Sequence, residues 1–150
     1  LEPAELGALV GQVAEEFEDM GEPVTFTPAD ERIVLPLRAT WLRRALRNLT
    51  VNALRYGHSA RISLAREDGQ AVIRIEDDGP GIAPDQIALM LEPFTRGDPS
   101  RNSETGGAGL GLTLARAIAD QHGGTLHLAN RTGSDGQVTG LAAELRLPLR

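Results

Sequence analysis

The sequence predicts an α/β fold: a two-layer sandwich in which one mixed, mostly antiparallel sheet carries its helices on one face. Three observations predict it. Segments with helical apolar spacing alternate with pairs of short, strand-like segments. The length, 150 residues, suits one domain that buries roughly two-thirds of its unfolded surface. The core material is aliphatic, since aromatics are only 3% of the chain and there is no cysteine to build a disulfide frame or a thiolate metal site.

Taken in order, residues 4–19 place Leu6, Leu9, Val10, Val13 and Phe17 at helical spacing, with Glu15, Glu16 and Glu18 largely opposite. Gly21 closes that helix. Val24 to Thr27 and Ile33 to Leu35 read as two short strands around Pro28-Ala29-Asp30, with Pro36 ending the second and Thr40 a candidate N-cap. A helix over 41–56 buries Leu42, Ala45, Leu46, Leu49 and Ala53, and Gly57 ends it. Residues 60–66 and 71–77 form a hairpin turning at Glu67-Asp68-Gly69-Gln70. A short helix follows over Pro84 to Leu91, started by Ala83-Pro84-Asp85. Residues 92–108 lose all periodicity. A helix then begins within Gly106, Gly107, Gly109 and Gly111, and ends at Gly123-Gly124. Residues 125–130 and 137–147 close the chain as antiparallel strands around Gly133-Ser134-Asp135-Gly136.

Composition excludes several functions. All fifteen basic residues are arginine. Without lysine there is no P-loop and no strand lysine of a eukaryotic-type protein kinase. A net charge of −6 argues against nucleic acid as the main partner. Three scattered histidines make a zinc site a poor expectation. No apolar run approaches the ~20 residues of a membrane span, and no signal-peptide pattern opens the chain. It opens Leu1-Glu2-Pro3 without a methionine, as a piece of a longer protein would.

Four stretches carry chemistry. The strand through Ile73 and Ile75 ends in Asp77, followed by Gly79-Pro80-Gly81. This puts a carboxylate, an acceptor only, beside a bare backbone turn, which suits an exocyclic amine such as that of adenine. A plain hairpin turn accounts for the same residues. Asn48 and Asn52, four apart, share one side of their helix at a cost in helix propensity. Asn carbonyls can ligate a hard cation such as Mg²⁺, or they can seal a helix–sheet contact. The long loop 92–108 holds one bulky apolar residue, Phe94, and two cations, Arg96 and Arg101, the composition of a lid whose charges meet phosphate or of a surface loop. The glycine run at the following helix start exposes backbone N–H groups to an anion.

In sequence order these stretches read Asn48-x-x-x-Asn52-Ala53-x-Arg55-Tyr56, Asp77-x-Gly79-x-Gly81, Glu92-Pro93-Phe94-x-Arg96 and Gly107-x-Gly109-x-Gly111-Leu112. The chain resembles, over nearly its whole length, the catalytic and ATP-binding domain of bacterial sensor histidine kinases, with their N, G1, F and G2 boxes. The run ending Glu92-Pro93-Phe94-Thr95-Arg96-Gly97-Asp98 is most similar to the osmosensor kinases. The resemblance implies a Bergerat ATP-binding fold, one domain over 1–150 with 92–108 as its ATP lid, and ATP and Mg²⁺ as ligands. It implies that Asp77 accepts from the adenine amine and that Asn52 ligates Mg²⁺. Asn48, Arg55 and Tyr56 then face the phosphates. Gly79, Gly81 and Ile82 pass near the base, Phe94 anchors the lid, and Arg96 serves it. Gly107, Ala108, Gly109, Leu110, Gly111 and Leu112 form the phosphate loop. The catalytic set is Asn48, Asn52 and Arg55.

The sequence departs from the family pattern. Arg55 stands where the family usually has Lys, and the two are not equivalent. Ala108 replaces a common Thr. The phosphoacceptor, a His followed by an acid on an upstream helix hairpin, has no match, since His58 precedes Ser59, His122 precedes Gly123 and His127 precedes Leu128. His122, at a helix C-terminus where a cation favours the dipole, reads as structural. Related ATPases of this fold carry a water-activating Glu where this chain has Asn48, and a carboxamide is a poor general base. The implied function is to hold MgATP for a histidine on a separate dimerisation hairpin, with a response regulator as indirect partner. The implied location is the cytoplasmic side of an inner-membrane sensor, with membrane contact only through the full-length protein. A Ser-directed anti-sigma-factor kinase and a non-catalytic nucleotide-binding module of the same fold remain the alternatives.

Overall fold

The computed structural model describes residues 1–91 and 108–149, the side chains of 88–91 and 108–111 excepted. In chain order they form β1 (Glu2–Glu5), α1 (Leu6–Asp19), β2 (Val24–Thr27), β3 (Val34–Leu37), α2 (Ala39–Gly57), β4 (Ala60–Glu67) and β5 (Gln70–Glu76). There follow α3 (Pro84–Leu91), α4 (Ala108–Gln121), β6 (Thr125–Thr132) and β7 (Val138–Pro148). A five-stranded sheet runs β2-β4-β5-β7-β6. Among the described residues only β2 and β4 pair in parallel, and the other pairs of this sheet are antiparallel. The predicted mixed, mostly antiparallel sheet is therefore present.

Alternation places Ile62, Leu64, Ile73, Ile75, Ala143, Leu145, Leu147, Leu126 and Leu128 in one cluster with the apolar faces of α1, α2 and α4. The helices contribute Leu6, Val10, Val13, Leu42, Ala45, Leu46, Leu49, Leu112, Ala115 and Ile118. The opposite face of the sheet carries paired charges. Arg74 donates to Glu144 at 2.8 Å, and Arg146 donates to the same carboxylate at 2.9 Å. The β4–β5 turn uses Asp68 and Gly69, both at positive φ (50° and 74°), as a two-residue hairpin loop requires.

Several sequence expectations are corrected. Residues 2–5 are a strand, and α1 starts only at Leu6, its first turn closed by the Glu5 carboxylate accepting from the Ala8 N–H at 2.7 Å. The two short segments before α2 do not pair with each other: β2 joins the main sheet, while β3 pairs with β1 in a separate two-stranded ribbon. Pro36 lies inside β3, opposite Pro3, rather than ending it. A two-stranded ribbon consists only of edges, where proline's missing N–H is tolerated. Thr40 is not the N-cap of α2; Arg38 is, with no side-chain cap bond. The last helical residue of α2 is Gly57, and His58 takes the left-handed turn at φ 63°.

His122 keeps a structural role, through hydrogen bonds at both ring nitrogens. Its Nε2 accepts from the Arg38 N–H at 3.0 Å, so the ring proton sits on Nδ1, which faces the Ile118 carbonyl at 2.8 Å. The ring thereby bridges the start of α2 to the end of α4. The helices also hold each other at the surface, where Arg47 donates twice to Glu16, at 2.8 and 2.7 Å.

Leu46 is 1% exposed at the centre of this layer. Leu46→Ala is expected to cost about 2–5 kcal/mol in urea unfolding. Glu15→Ala, on the exposed face of α1, is expected to stay within about 0.5 kcal/mol.

Candidate functional site

On three elements a polar residue stands in the inward-facing row. Along α2 the row Leu42, Ala45, Leu49 reaches Asn52. On β5 the row Ile73, Ile75 continues to Asp77, one residue past the strand. On β6 the row Leu126, Leu128 reaches Asn130.

Asp77 is 3% exposed. Its Oδ1 accepts from the Gly79 N–H at 2.9 Å and from the Leu141 N–H at 3.1 Å. The Asp77 main chain is tied as firmly: its N–H donates to the Leu141 carbonyl at 3.0 Å, and its carbonyl accepts from Arg131 at 2.8 Å. A carboxylate removed from water is tolerated only when hydrogen-bonded, and backbone N–H donors supply that here.

Glycines make the room. A Cβ on Gly57 would lie 2.6 Å from the Asp77 carboxyl carbon. One on Gly140 would overlap the Asp77 carbonyl oxygen. One on Gly79 would lie 2.5 Å from the Tyr56 carbonyl oxygen. The end of α2, the start of β7 and the turn after β5 thus pack against Asp77 and against one another at distances that side chains would forbid. Gly57, expected only to end a helix, is part of this wall. Gly81 has φ +75°, and a Cβ there would overlap Asn130.

Asn52, about 7.5 Å along the α2 axis from Gly57 at 1.5 Å per residue, is 7% exposed. Its Oδ1 is buried and has no hydrogen-bond partner among the described residues. An orphaned carbonyl oxygen normally costs about 1–3 kcal/mol, so its presence calls for an external donor or a cation. Asn48 is half-buried one turn earlier, Tyr56 is half-buried, and Arg55 is exposed at the last turn of α2. Among the described residues no three His, Cys, Asp or Glu side chains gather as a metal site.

Of the remaining sequence-predicted residues, Ile82 is half-buried in the turn after β5, and Leu112 is buried in the core. Ala108, Gly109, Leu110 and Gly111 form the first turn of α4. Phe94, Arg96, Gly107 and nearly all of the expected lid lie outside the described residues. Sequence reasoning missed Asn130, Arg131 and Gly140. For Asn130 the signal was available, as a polar residue at the next inward position after Leu126 and Leu128. Arg131 had none, because its importance rests on partners more than fifty residues away.

Asp78 points outward into a clamp. It accepts from Arg61 at 2.6 and 3.0 Å and from Arg131 at 3.0 Å. The Arg61 hydrogen bonds foremost, then Arg131, hold its carboxyl down from the ordinary 3.8 to about 2. Arg131 also pairs with Glu76 at 3.0 Å.

A model of the family described as histidine kinase-, DNA gyrase B-, and HSP90-like ATPase matches residues 38–150. The chain belongs to this family. It is 36% identical over 148 residues to the sensor histidine kinase GtrS of Pseudomonas aeruginosa, covering 99% of this chain and 29% of that protein. It is 49% identical over 87 residues to the sensor protein RstB of Escherichia coli, covering 57% and 20%. It therefore spans less than a third of the length of these curated relatives. Among solved structures it is similar to the histidine kinase domain of the E. coli osmosensor EnvZ, at 35% identity and a TM-score of 0.74, covering 99% of this chain and 89% of that one. The catalytic domain of the histidine kinase ThkA shares the fold at 22% identity and a TM-score of 0.73, covering 98% and 94%. The expected Bergerat fold and the kinship with sensor histidine kinases, osmosensor type included, are borne out.

The Asp78 clamp has a pH signature. Its carboxyl titrates lower in the folded chain than in the unfolded one, so its stabilisation is complete above about 3.8 and lost as pH falls through about 2. Its side chain is 55% exposed, so solvent screening keeps the effect modest. Asp78→Asn is expected to destabilise at neutral pH, with the difference from the parent shrinking across that acid window in urea titrations.

Proposed function

We propose that this domain binds MgATP and presents the γ-phosphate to a histidine on a separate dimerisation hairpin of a two-component sensor kinase. The observation that carries the reading is the buried Asp77 carboxylate. Both hydrogen bonds its side chain makes with described residues go to Oδ1. Oδ2 is then the oxygen that an adenine amine would meet. Such a site favours adenine over guanine, whose ring presents a carbonyl at the equivalent position and would set oxygen against oxygen.

The unpartnered Asn52 Oδ1 supports the cation, because Mg²⁺ is commonly held by one or two protein oxygens with the rest of its shell from phosphates and water. When bound, the ion would neutralise phosphate charge. Asn48, Arg55 and Tyr56 flank the phosphate side of α2 in this reading. The first turn of α4, with Ala108, Gly109, Leu110 and Gly111, offers backbone N–H groups to the phosphates, while Leu112 packs that turn onto the core. Ile82 borders the base, and Phe94 and Arg96 belong to the lid.

The rest of the proposal concerns the acceptor. None of the three histidines is followed by an acid, and Asn48 is a poor base for activating water. Phosphoryl transfer relies on a positioned nucleophile. We therefore assign the acceptor to an upstream helix hairpin, the downstream partner to a response regulator, and the domain to the cytoplasmic side of a sensor. Among the described residues no helix is long and apolar enough to cross a membrane.

Two measurements test this. A hydrogen bond to a charged group contributes about 1.5–3 kcal/mol, so Asp77→Asn is expected to weaken MgATP binding at least about tenfold in calorimetry. Equal affinity of the parent for ATP and GTP would contradict the adenine assignment. With γ-labelled ATP the domain alone is expected to release little phosphate. With its own helix hairpin added, it should yield an acid-labile, alkali-stable phosphohistidine. Rapid phosphate release by the domain alone, or stable phosphoserine on an added partner, would contradict the histidine assignment.

A further inference from the structure

Resting on the proposed ATP site, we propose that Asn130 is a positioning residue for the adenine pocket: from β6 it fixes the turn that walls Asp77. Its side-chain carboxamide bonds both backbone polar groups of Ile82. Oδ1 accepts from the Ile82 N–H at 2.8 Å, and Nδ2 donates to the Ile82 carbonyl at 2.7 Å. This is the pairing that a neighbouring strand residue would provide, made by a side chain where β5 has already ended.

The turn needs that pairing. Among the described residues, the stretch from Gly79 to Ile82 makes its other hydrogen bond only at its beginning, where the Gly79 N–H meets Asp77. Among the described residues, its far end is hydrogen-bonded by Asn130 alone. Gly81 is fitted to the same contact, since its φ of +75° suits glycine and any Cβ there would overlap Asn130 Oδ1 and press on Val138. The ladder between β6 and β7 shifts register between Arg131 and Thr132, just beyond Asn130. Such irregularities bend a strand and re-aim its side chains. Arg131, the next residue, grips the near end of the turn through the Asp77 carbonyl and Asp78. Two adjacent residues of β6 thus hold the two ends of one turn, from opposite faces of their strand.

The chemistry demands a carboxamide. Leucine has the same shape but neither polar group. Aspartate keeps the acceptor for the Ile82 N–H, but sets a second oxygen against the Ile82 carbonyl. The turn released by either change loses its fixed relation to Asp77, and the pocket loses its discrimination between purines.

The test compares the parent, Asn130→Leu, Asn130→Asp and Asp77→Asn. Each is titrated with MgATP and with MgGTP, and the folded fraction of each is measured by urea unfolding. The expected result is that folded Asn130→Leu loses about fivefold or more in ATP affinity while its GTP affinity changes little, so that the ATP preference falls. Asn130→Asp should lie between Asn130→Leu and the parent. A drop in stability with ATP affinity and purine preference unchanged would make Asn130 merely structural and overturn the inference. A parent that does not bind ATP, or an Asp77→Asn variant that binds it normally, would instead overturn the functional reading. If neither Asn130 variant folds, Gly81→Ala, aimed at the same contact from the other side, must show the same loss of ATP preference, and unchanged preference there overturns the inference.

Discussion

A carboxylate that is almost wholly buried has to be given hydrogen bonds, and at Asp77 those donors are backbone groups. The Gly79 and Leu141 N–H groups both reach Oδ1, which means that the turn after β5 and the start of β7 must come within contact distance of the same side chain. That closeness leaves no space for Cβ atoms at Gly57, Gly79 or Gly140. The position of α2's last turn, the Gly79 turn and the entry of β7 are all fitted closely around Asp77.

The same constraint organises the polar edge of the core. The inward rows are mainly apolar, and in them α2 presents Asn52, β5 leads to Asp77 and β6 presents Asn130. Asp77 and Asn130 spend hydrogen-bonding capacity on the protein's own backbone. Asn52 Oδ1 has no such partner among the described residues, although it is as deeply placed. Among the described residues it is the one buried side-chain oxygen or nitrogen without a partner, which supports the proposed place for a ligand there. Family membership and the EnvZ-like fold agree with that reading.

Legibility in the sequence followed the range of the interactions. Helices with a strong apolar period, the Asp68-Gly69 hairpin turn and the antiparallel β6–β7 pair could be read because local periodicity and turn chemistry decide them. The β1–β3 ribbon could not, because Pro36 reads as the end of a strand and residues 2–5 show no strand pattern until Pro3 and Pro36 are seen to face each other on an edge. The parallel pairing of β2 with β4 was equally hidden, since it spans α2 and leaves no local mark. At the site, Asp77, Asn48 and Asn52 stood out as polar residues in costly places. Gly57, Gly140 and Arg131 did not, because their roles exist only where segments distant in sequence meet; Asn130 did carry a local signal, as a polar residue at the next inward position after Leu128. His122 illustrates the remaining difficulty: its place at a helix end was legible, but its acceptor role depended on the Arg38 N–H, eighty-four residues earlier.

The central claim is that Asp77 reads adenine. The most direct measurement is a structure of the domain with Mg²⁺ and a non-hydrolysable ATP analogue. The account predicts the adenine exocyclic amine within hydrogen-bond distance, about 2.7–3.2 Å, of the Asp77 carboxylate, with a metal-bound oxygen shell that includes Asn52 Oδ1. An adenine ring lying elsewhere, with Asp77 still bonded only to its own backbone, would contradict it.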